Sequence, residues 1–175
     1  TNKFKINYSI GAVANGIKTD TFTFFLLFFY INIIGLNPAL AGSAIFIALC
    51  VDAVTDPLMG TISDRTNSSY GRRHPFMMIS FIPMSLGYIF LFAPRQDWDM
   101  SQSDLFIWMT IFTVITRIGM TLFDIPHRAF GGEVTKNYKE RTILMSWREM
   151  FGWVAGLSNA FLGYGIFFVS TSEYP

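Results

Sequence analysis

The chain has 175 residues, of which 51% are hydrophobic, 17% aromatic and only 14% charged. An average soluble domain is about 25% charged, so this is the composition of a membrane protein. The net charge of +1, with no basic patch outside short loops, argues against a nucleic-acid partner and leaves membrane lipid as the expected surroundings. The single cysteine, Cys50, excludes an internal disulfide.

Five apolar segments are long enough to cross a bilayer as helices, which takes about 20 residues. The predicted spans are Tyr8–Gly35, Ala39–Ile62, Pro75–Ala93, Asp104–Phe130 and Leu144–Val169. Asn37 and Pro38 form the turn signal that ends the first span, and Pro83 predicts a bend in the third. The runs are too continuous for barrel strands. We therefore predict an all-α membrane bundle of about five helices, forming one incomplete domain over residues 1–175.

Lysine and arginine residues are distributed unevenly between the two ends of these spans. The N-terminal tail and the loops after the second and fourth spans are basic, whereas the opposite loops hold only Arg95 beside several acids. The positive-inside rule then predicts a cytoplasmic N-terminus. The chain starts at Thr1 and stops just after an apolar segment, so we expect it to be a piece of a longer protein.

Ionisable residues inside a bilayer cost at least ~2.5 kcal/mol on insertion scales and are functional-site hypotheses by default. Six fall within the predicted spans: Lys18, Asp20, Asp52, Asp56, Arg117 and Asp124. Asp52 and Asp56 are four residues apart, which places them on one helix face. Together they call for a cation, which could be a proton, a metal ion or a basic side chain. A hydroxyl from Thr55 or Thr121 could complete the shell of a metal ion.

The alternative to a binding site is structural pairing of the same charges. Asp20 could pair with Lys18 or Arg117 and hold helices in register, whereas Asp52 and Asp56 have no obvious pair of bases. Four acids oppose two bases, so full ionisation leaves a formal charge of −2, which is expensive to bury. Protonation of a carboxylate or binding of a cation would relieve this excess.

A second group of residues follows the second span in a polar loop, Gly60, Asp64, Arg65, Gly71, Arg72 and Arg73. Asp64 lies at a helix C-terminus, where the helix dipole disfavours an anion, so one of the three arginines is expected to pair with it. Such a pair could latch two helices in one conformation and release them in another. Gly60 is small enough for a neighbouring helix to approach closely. The alternative is a solvated basic loop that only sets topology.

The pattern Gly60-x-x-x-Asp64-Arg65 followed by Gly71-Arg72-Arg73 resembles the loop signature of the major facilitator superfamily. The longer string from Asp56-Pro57 to Pro75 resembles the glycoside–pentoside–hexuronide cation symporters, the group that contains the melibiose permeases. Further stretches resemble the same family: Tyr8 to Gly11, Asp124-Ile125-Pro126 and Glu140-Arg141-Thr142.

The resemblance implies a twelve-helix fold in two halves. This chain would supply most of the N-terminal half, and the missing C-terminal half would be its partner. It also implies cation-coupled symport of a sugar or glycoside across a bacterial inner membrane by alternating access. Asp52 and Asp56 match the cation-site carboxylates, and Thr121 matches a hydroxyl ligand. Thr55 stands where melibiose permease has Asn, which leaves Na⁺ or H⁺ open as the coupling ion.

The substrate residues are carried over from the same resemblance. Asp124 matches an acid that binds sugar hydroxyls, and Arg148 lies near the arginine of the fifth helix. Lys18 and Asp20 come about one turn after the position of the Lys-Asp pair in melibiose permease. Arg128 replaces an aromatic residue, so a galactoside is not supported, and an acidic sugar or another solute is possible.

Two alternatives to a sugar symporter remain at this point. A proton-coupled exporter or a transporter of lipid or another solute would keep the loop motif, and a non-transporting membrane remnant would keep only the helices. An enzyme is not expected, because His74 and His127 lie in unrelated places and no zinc spacing occurs. No cofactor is expected beyond the coupling ion.

Overall fold

The computed structural model describes residues 2–69, 71–133, 137–163 and 165, and within them every regular element is helical. This confirms the predicted all-α class. The helices are α1 (Asn2–Asp20), α2 (Leu26–Phe28), α3 (Pro38–Arg65), α4 (His74–Ile79), α5 (Phe81–Leu91), α6 (Gln102–Glu133) and α7 (Tyr138–Leu162). π-helical turns Thr21–Phe25 and Phe29–Ile33 flank α2, and a 3₁₀ turn, Gln96–Trp98, follows α5. The predicted end of the fifth span, Val169, lies outside the described residues.

Three of the described helical segments are long and apolar enough to cross a membrane, namely Pro38–Arg65, His74–Leu91 and Gln102–Gly132. The first predicted span lies on a helical run that π-turns interrupt at Thr21. The fifth lies on α7, which carries Arg148 and Glu149 in its interior. Neither is among the three apolar helices, and the five-span arrangement therefore stays a prediction.

The boundary before α3 follows from its sequence. Gly35 has a φ of +84°, a conformation that glycine adopts without strain. Asn37 then caps α3, because its side chain accepts a hydrogen bond from the backbone N–H of Ala39 at 2.9 Å. Pro38 occupies the first helical turn, where a missing N–H costs nothing.

The third predicted span is divided into two helices at Ser80. The bend expected from Pro83 therefore falls three residues earlier. Proline at position 83 cannot donate to the carbonyl of Ile79, and its ring crowds that carbonyl, so the interruption comes in the turn before the proline.

The chain divides into two compact units, residues 1–26 with 135–175 and residues 27–134. In the first unit, α1 packs against α7. In the second, α6 packs against α3, α4 and α5. The contact between α5 and α6 is made by two glycines, since a Cβ on Gly119 would lie 2.7 Å from the backbone nitrogen of Met84, and one on Gly87 would overlap Thr116. In a membrane, lipid competes with a neighbouring helix for apolar contact, and small residues favour the neighbouring helix because they allow the two backbones to approach closely.

Candidate functional site

Two polar contacts join α3 to α6 at the level of the predicted cation site. Arg117 Nη1 donates to Asp52 Oδ2, and Thr121 Oγ1 donates to Asp56 Oδ1 at 2.7 Å. In each contact the two residues are 65 positions apart in the sequence. An advance of four residues on α3 therefore matches an advance of four on α6, which means that the two helices run parallel with their polar faces in register.

The same register continues at both ends of the pair. The backbone N–H of Asn37 donates to Gln102 Oε1 at 2.8 Å, again 65 residues apart. A Cβ on Gly60 would contact Ile125 Cγ2 at 3.9 Å, which is ordinary van der Waals distance. The shared register thus extends over roughly 35 Å of helix. The close approach expected at Gly60 is not seen, because the neighbouring side chain leaves room for a methyl group there.

Asp52 has a basic partner that the sequence did not reveal. Its side chain is 21% exposed and that of Arg117 16%. Arg117, which could also have paired with Asp20, lies on Asp52 instead. The other carboxylate oxygen, Asp52 Oδ1, is buried and accepts no hydrogen bond from any residue in the described part of the chain. Asp52 is therefore half satisfied, with one oxygen on a guanidinium and one available for a further cation or donor.

Asp56 is bound by a neutral group rather than by a base. Thr121, the donor, is buried, and Asp56 forms no ion pair within the described residues. The Thr55 hydroxyl points to the backbone carbonyl of Asp52 at 3.5 Å and not to either carboxylate. Two carboxylates and one guanidinium leave this cluster with a formal charge of −1. A single monovalent cation would neutralise it.

The described residues contain no group of three or more His, Cys, Asp or Glu side chains placed to hold a metal ion. The available oxygens are those of Asp52, Asp56 and Thr121, all hard donors that suit Na⁺ or a proton better than a transition metal.

The candidate substrate acid on α6, Asp124, is bound by its own helix. Arg128 Nε donates to Asp124 Oδ2 at 2.6 Å, one turn apart. Asp124 is mostly buried, whereas the Arg128 side chain is 53% exposed. A solute that binds Asp124 therefore meets a guanidinium at the same place, which is the consequence of arginine replacing an aromatic residue.

The remaining candidate substrate residues belong to the unit of α1 and α7. Asp20 forms no ion pair in this unit, and its carboxylate lies against Gly156, where a Cβ would be 2.6 Å from Oδ2. Lys18 is half-buried on α1. Arg148 is only 1% exposed and donates to Glu149 Oε1 at 2.6 Å. Glu149 was missed by the sequence analysis, because an adjacent acid on a helix does not ordinarily face its neighbour.

The loop motif selects one of its three arginines for Asp64. Arg73 Nη2 donates to Asp64 Oδ1 at 2.8 Å, with the Arg73 side chain 7% exposed and that of Asp64 59%. Gly71 has a φ of +92°, so a glycine is required there for the chain to turn back. Arg65 and Arg72 are exposed. The predicted pairing of Asp64 with a loop arginine is confirmed, and its role as a latch stays a prediction.

Long apolar helices that carry acids, bases and hydroxyls on facing sides are those of an integral membrane protein, in which such groups mark functional sites. The profile of the family described as MFS/sugar transport protein matches residues 7–174. The chain belongs to this family, which confirms the resemblance drawn from the loop motif.

Individual relatives agree with this assignment. An uncharacterized symporter of Synechocystis is 37% identical over 84% of this chain, and the putative glycoside/cation symporter YagG of Escherichia coli is 32% identical over 85%. The sodium-dependent lysophosphatidylcholine symporter 1-A of Danio rerio is 30% identical over 87%. The chain covers 28%, 32% and 29% of these three relatives. It therefore spans about a third of their length or less.

Proposed function

We propose that this chain is part of a cation-coupled symporter that carries a sugar or glycoside. The observation that carries the proposal is the parallel pair α3 and α6, whose facing side chains form a cluster with a formal charge of −1. Burying an uncompensated charge is costly, so a state that holds one Na⁺ or H⁺ is favoured over an empty one. Cation binding can then change the energy of the substrate-binding state, which is the physical requirement for coupling.

Asp56 is the centre of the proposed cation site. Within the described residues its carboxylate is bound only by the Thr121 hydroxyl, whereas Asp52 already lies on Arg117. The bound cation would lie between Asp56 and the second oxygen of Asp52. Asp124 is three residues beyond Thr121 on α6, so a shift of this helix turn on cation binding would also move Asp124. In the second unit Asp124, with Arg128 beside it, is the proposed solute contact. Lys18, Asp20 and Arg148 belong to the first unit and stay candidates from the sequence resemblance.

The test uses the full-length transporter in proteoliposomes with an imposed Na⁺ or H⁺ gradient and a panel of neutral glycosides and uronosides. Asp56→Asn is expected to abolish accumulation of the solute against its own concentration gradient. Asp99→Asn, in an exposed loop, serves as the control and should accumulate like the wild type. Ion-dependent accumulation that survives Asp56→Asn would place the cation site elsewhere. Comparing the two gradients identifies the coupling ion.

A second candidate solute is a lysophospholipid, favoured by the 30% identity to a symporter whose name specifies sodium-dependent lysophosphatidylcholine transport. The same vesicles can be tested with labelled lysophosphatidylcholine. Uptake of the labelled lipid, together with no uptake of any sugar in the panel, would select this candidate. Loss of lipid uptake in Asp56→Asn would keep the cation site and change only the solute.

A further inference from the structure

A cavity of about 770 Å³ lies in the second unit, between the end of the first helical run and the loop that follows α5. One wall is built by Phe29 and Ile33, and the opposite wall by Ile89 and Phe92. The rim is formed by the segment from Arg95 to Trp98. None of these residues belongs to the proposed cation or solute site.

The walls of this cavity are fixed to one another by direct contacts. The hydroxyl of Tyr30 donates to the backbone carbonyl of Leu91 at 2.7 Å, and both residues are fully buried. The side chain of Gln96 donates to the backbone carbonyl of Ile33. The rings of Phe29 and Phe92 meet edge to face at 5.3 Å between centroids. The cavity is thus a built feature, since both helix ends and the rim are tied together.

Its lining changes from apolar to charged along its length. Arg95 and Asp97 are exposed at the rim, and neither forms an ion pair within the described part of the chain. Trp98 is half-exposed beside them, and tryptophan favours the boundary between lipid and water. Ile89 is 65% exposed, which is expected of a side chain that faces lipid. An amphiphile can therefore enter with its chain on the apolar walls and its headgroup at the rim.

The charges at the rim specify the headgroup. An arginine recognises phosphate through charge-assisted hydrogen bonds, and an aspartate accepts hydrogen bonds from an ammonium group. A rim with one of each is complementary to a headgroup that carries both charges. We propose that this cavity binds a zwitterionic aminophospholipid, with its phosphate on Arg95, its ammonium on Asp97 and an acyl chain along Phe29, Ile89 and Phe92.

The experiment uses the purified full-length transporter in detergent micelles, titrated with phosphatidylethanolamine that carries brominated acyl chains. Bromine quenches tryptophan fluorescence at short range, so Trp98 reports occupancy and Trp98→Phe identifies its share of the signal. Arg95→Gln and Asp97→Asn test the headgroup contacts. Asp99→Asn is the matched acid control, because asparagine tolerates the left-handed backbone at that position, and Lys139→Gln is the matched base control.

We expect saturable quenching, the largest share of which is lost in Trp98→Phe. Arg95→Gln should weaken binding about tenfold and Asp97→Asn about threefold, since both contacts are charged but partly solvated. Both controls should bind like the wild type. Brominated phosphatidylglycerol that binds as tightly as phosphatidylethanolamine would overturn the zwitterionic assignment. Quenching that is unchanged in Trp98→Phe, or displacement by water-soluble glycerophosphoethanolamine at the same concentration, would overturn the cavity as a lipid site.

Discussion

Two pairs of helices in this chain run parallel, and they are held together by opposite means. In the pair α1 and α7, Gly16 meets Gly152 so closely that a Cβ on Gly16 would overlap the carbonyl of Gly152. In the pair α3 and α6, the contacts are made by side chains, from Arg117 to Asp52 and from Thr121 to Asp56. The first pair packs backbone against backbone, and the second packs through polar groups.

This difference decides where an ion can be held between two helices. Apolar surface gives little preference for a neighbouring helix over lipid, so helix pairs in membranes rely on close packing or on hydrogen bonds. Where glycines meet, no space remains for an ion between the helices. Where a carboxylate meets a hydroxyl, the helices stand further apart and oxygen atoms remain available. Substitutions should therefore lower stability in both pairs but change cation binding only in the second.

The largest effect is expected for Gly16→Ala. The added methyl group would collide with the backbone of Gly152, which cannot move aside as a side chain can, and overpacking costs about 1–3 kcal/mol or more. Thermal unfolding of the purified full-length protein measures the loss. Gly42→Ala is the control, because nothing lies within 4 Å of its Cβ position. Equal stability of the two variants would show that α1 and α7 are not packed through glycine.

The helical class of this chain could be predicted from the sequence because apolar run length alone requires it in a bilayer. The π-turn at Thr21 could not, because it depends on local hydrogen bonds that hydropathy does not register. Pro83 predicted the break at Ser80, but only to within one turn. The sequence also predicted five spans, whereas only three of the described helices are long and apolar enough to cross a membrane. Helix α7 is not among them, because charged residues such as Arg148 lower its hydropathy. The hydropathy pattern thus predicts the type of an element more reliably than its boundaries.

The candidate site shows where prediction from helical periodicity ends. Period alone placed Asp52 with Asp56 on α3, and Arg117 with Thr121 and Asp124 on α6. It could not supply the offset of 65 residues between the two helices, since that register results from packing along their whole length. This is why the pairing of Asp52 with Arg117 was missed. The partner of Asp64 could not be predicted for a similar reason. Three arginines follow it in the loop, and which of them reaches it depends on the loop conformation at Gly71.

The charged contact between α3 and α6 should give the next largest effect. Asp52→Asn removes the carboxylate to which Arg117 donates in a mostly buried setting, and we expect a loss of about 2 kcal/mol in the free energy of unfolding. The double variant Asp52→Asn with Arg117→Gln should recover part of this loss, because no charge is then left behind. A double variant that is less stable than the sum of the singles would contradict the pairing.

A smaller effect, on cation affinity rather than stability, is expected at Thr121. Thr121→Val keeps the shape of the side chain and removes the hydrogen bond to Asp56, so the apparent affinity for the coupling ion should fall about tenfold. Thr121→Ser keeps the hydroxyl and should remain close to the wild type. The measurement is the ion dependence of solute uptake by the full-length transporter. If the two variants behave alike, the hydroxyl does not contribute to the cation site.

The smallest effect is expected at the ion pair between Asp64 and Arg73, in which the acid is exposed to solvent although the arginine is buried. The Asp64 side chain is 59% exposed, so Asp64→Asn should cost less than about 1 kcal/mol of unfolding free energy. High salt should remove most of this cost, whereas the cost of Asp52→Asn should persist, because buried pairs are screened far less. Unfolding of both variants at low and high salt provides the measurement, with Lys139→Gln as an exposed-charge control. A cost for Asp64→Asn that persists in high salt would mean that the loop shields this ion pair from solvent.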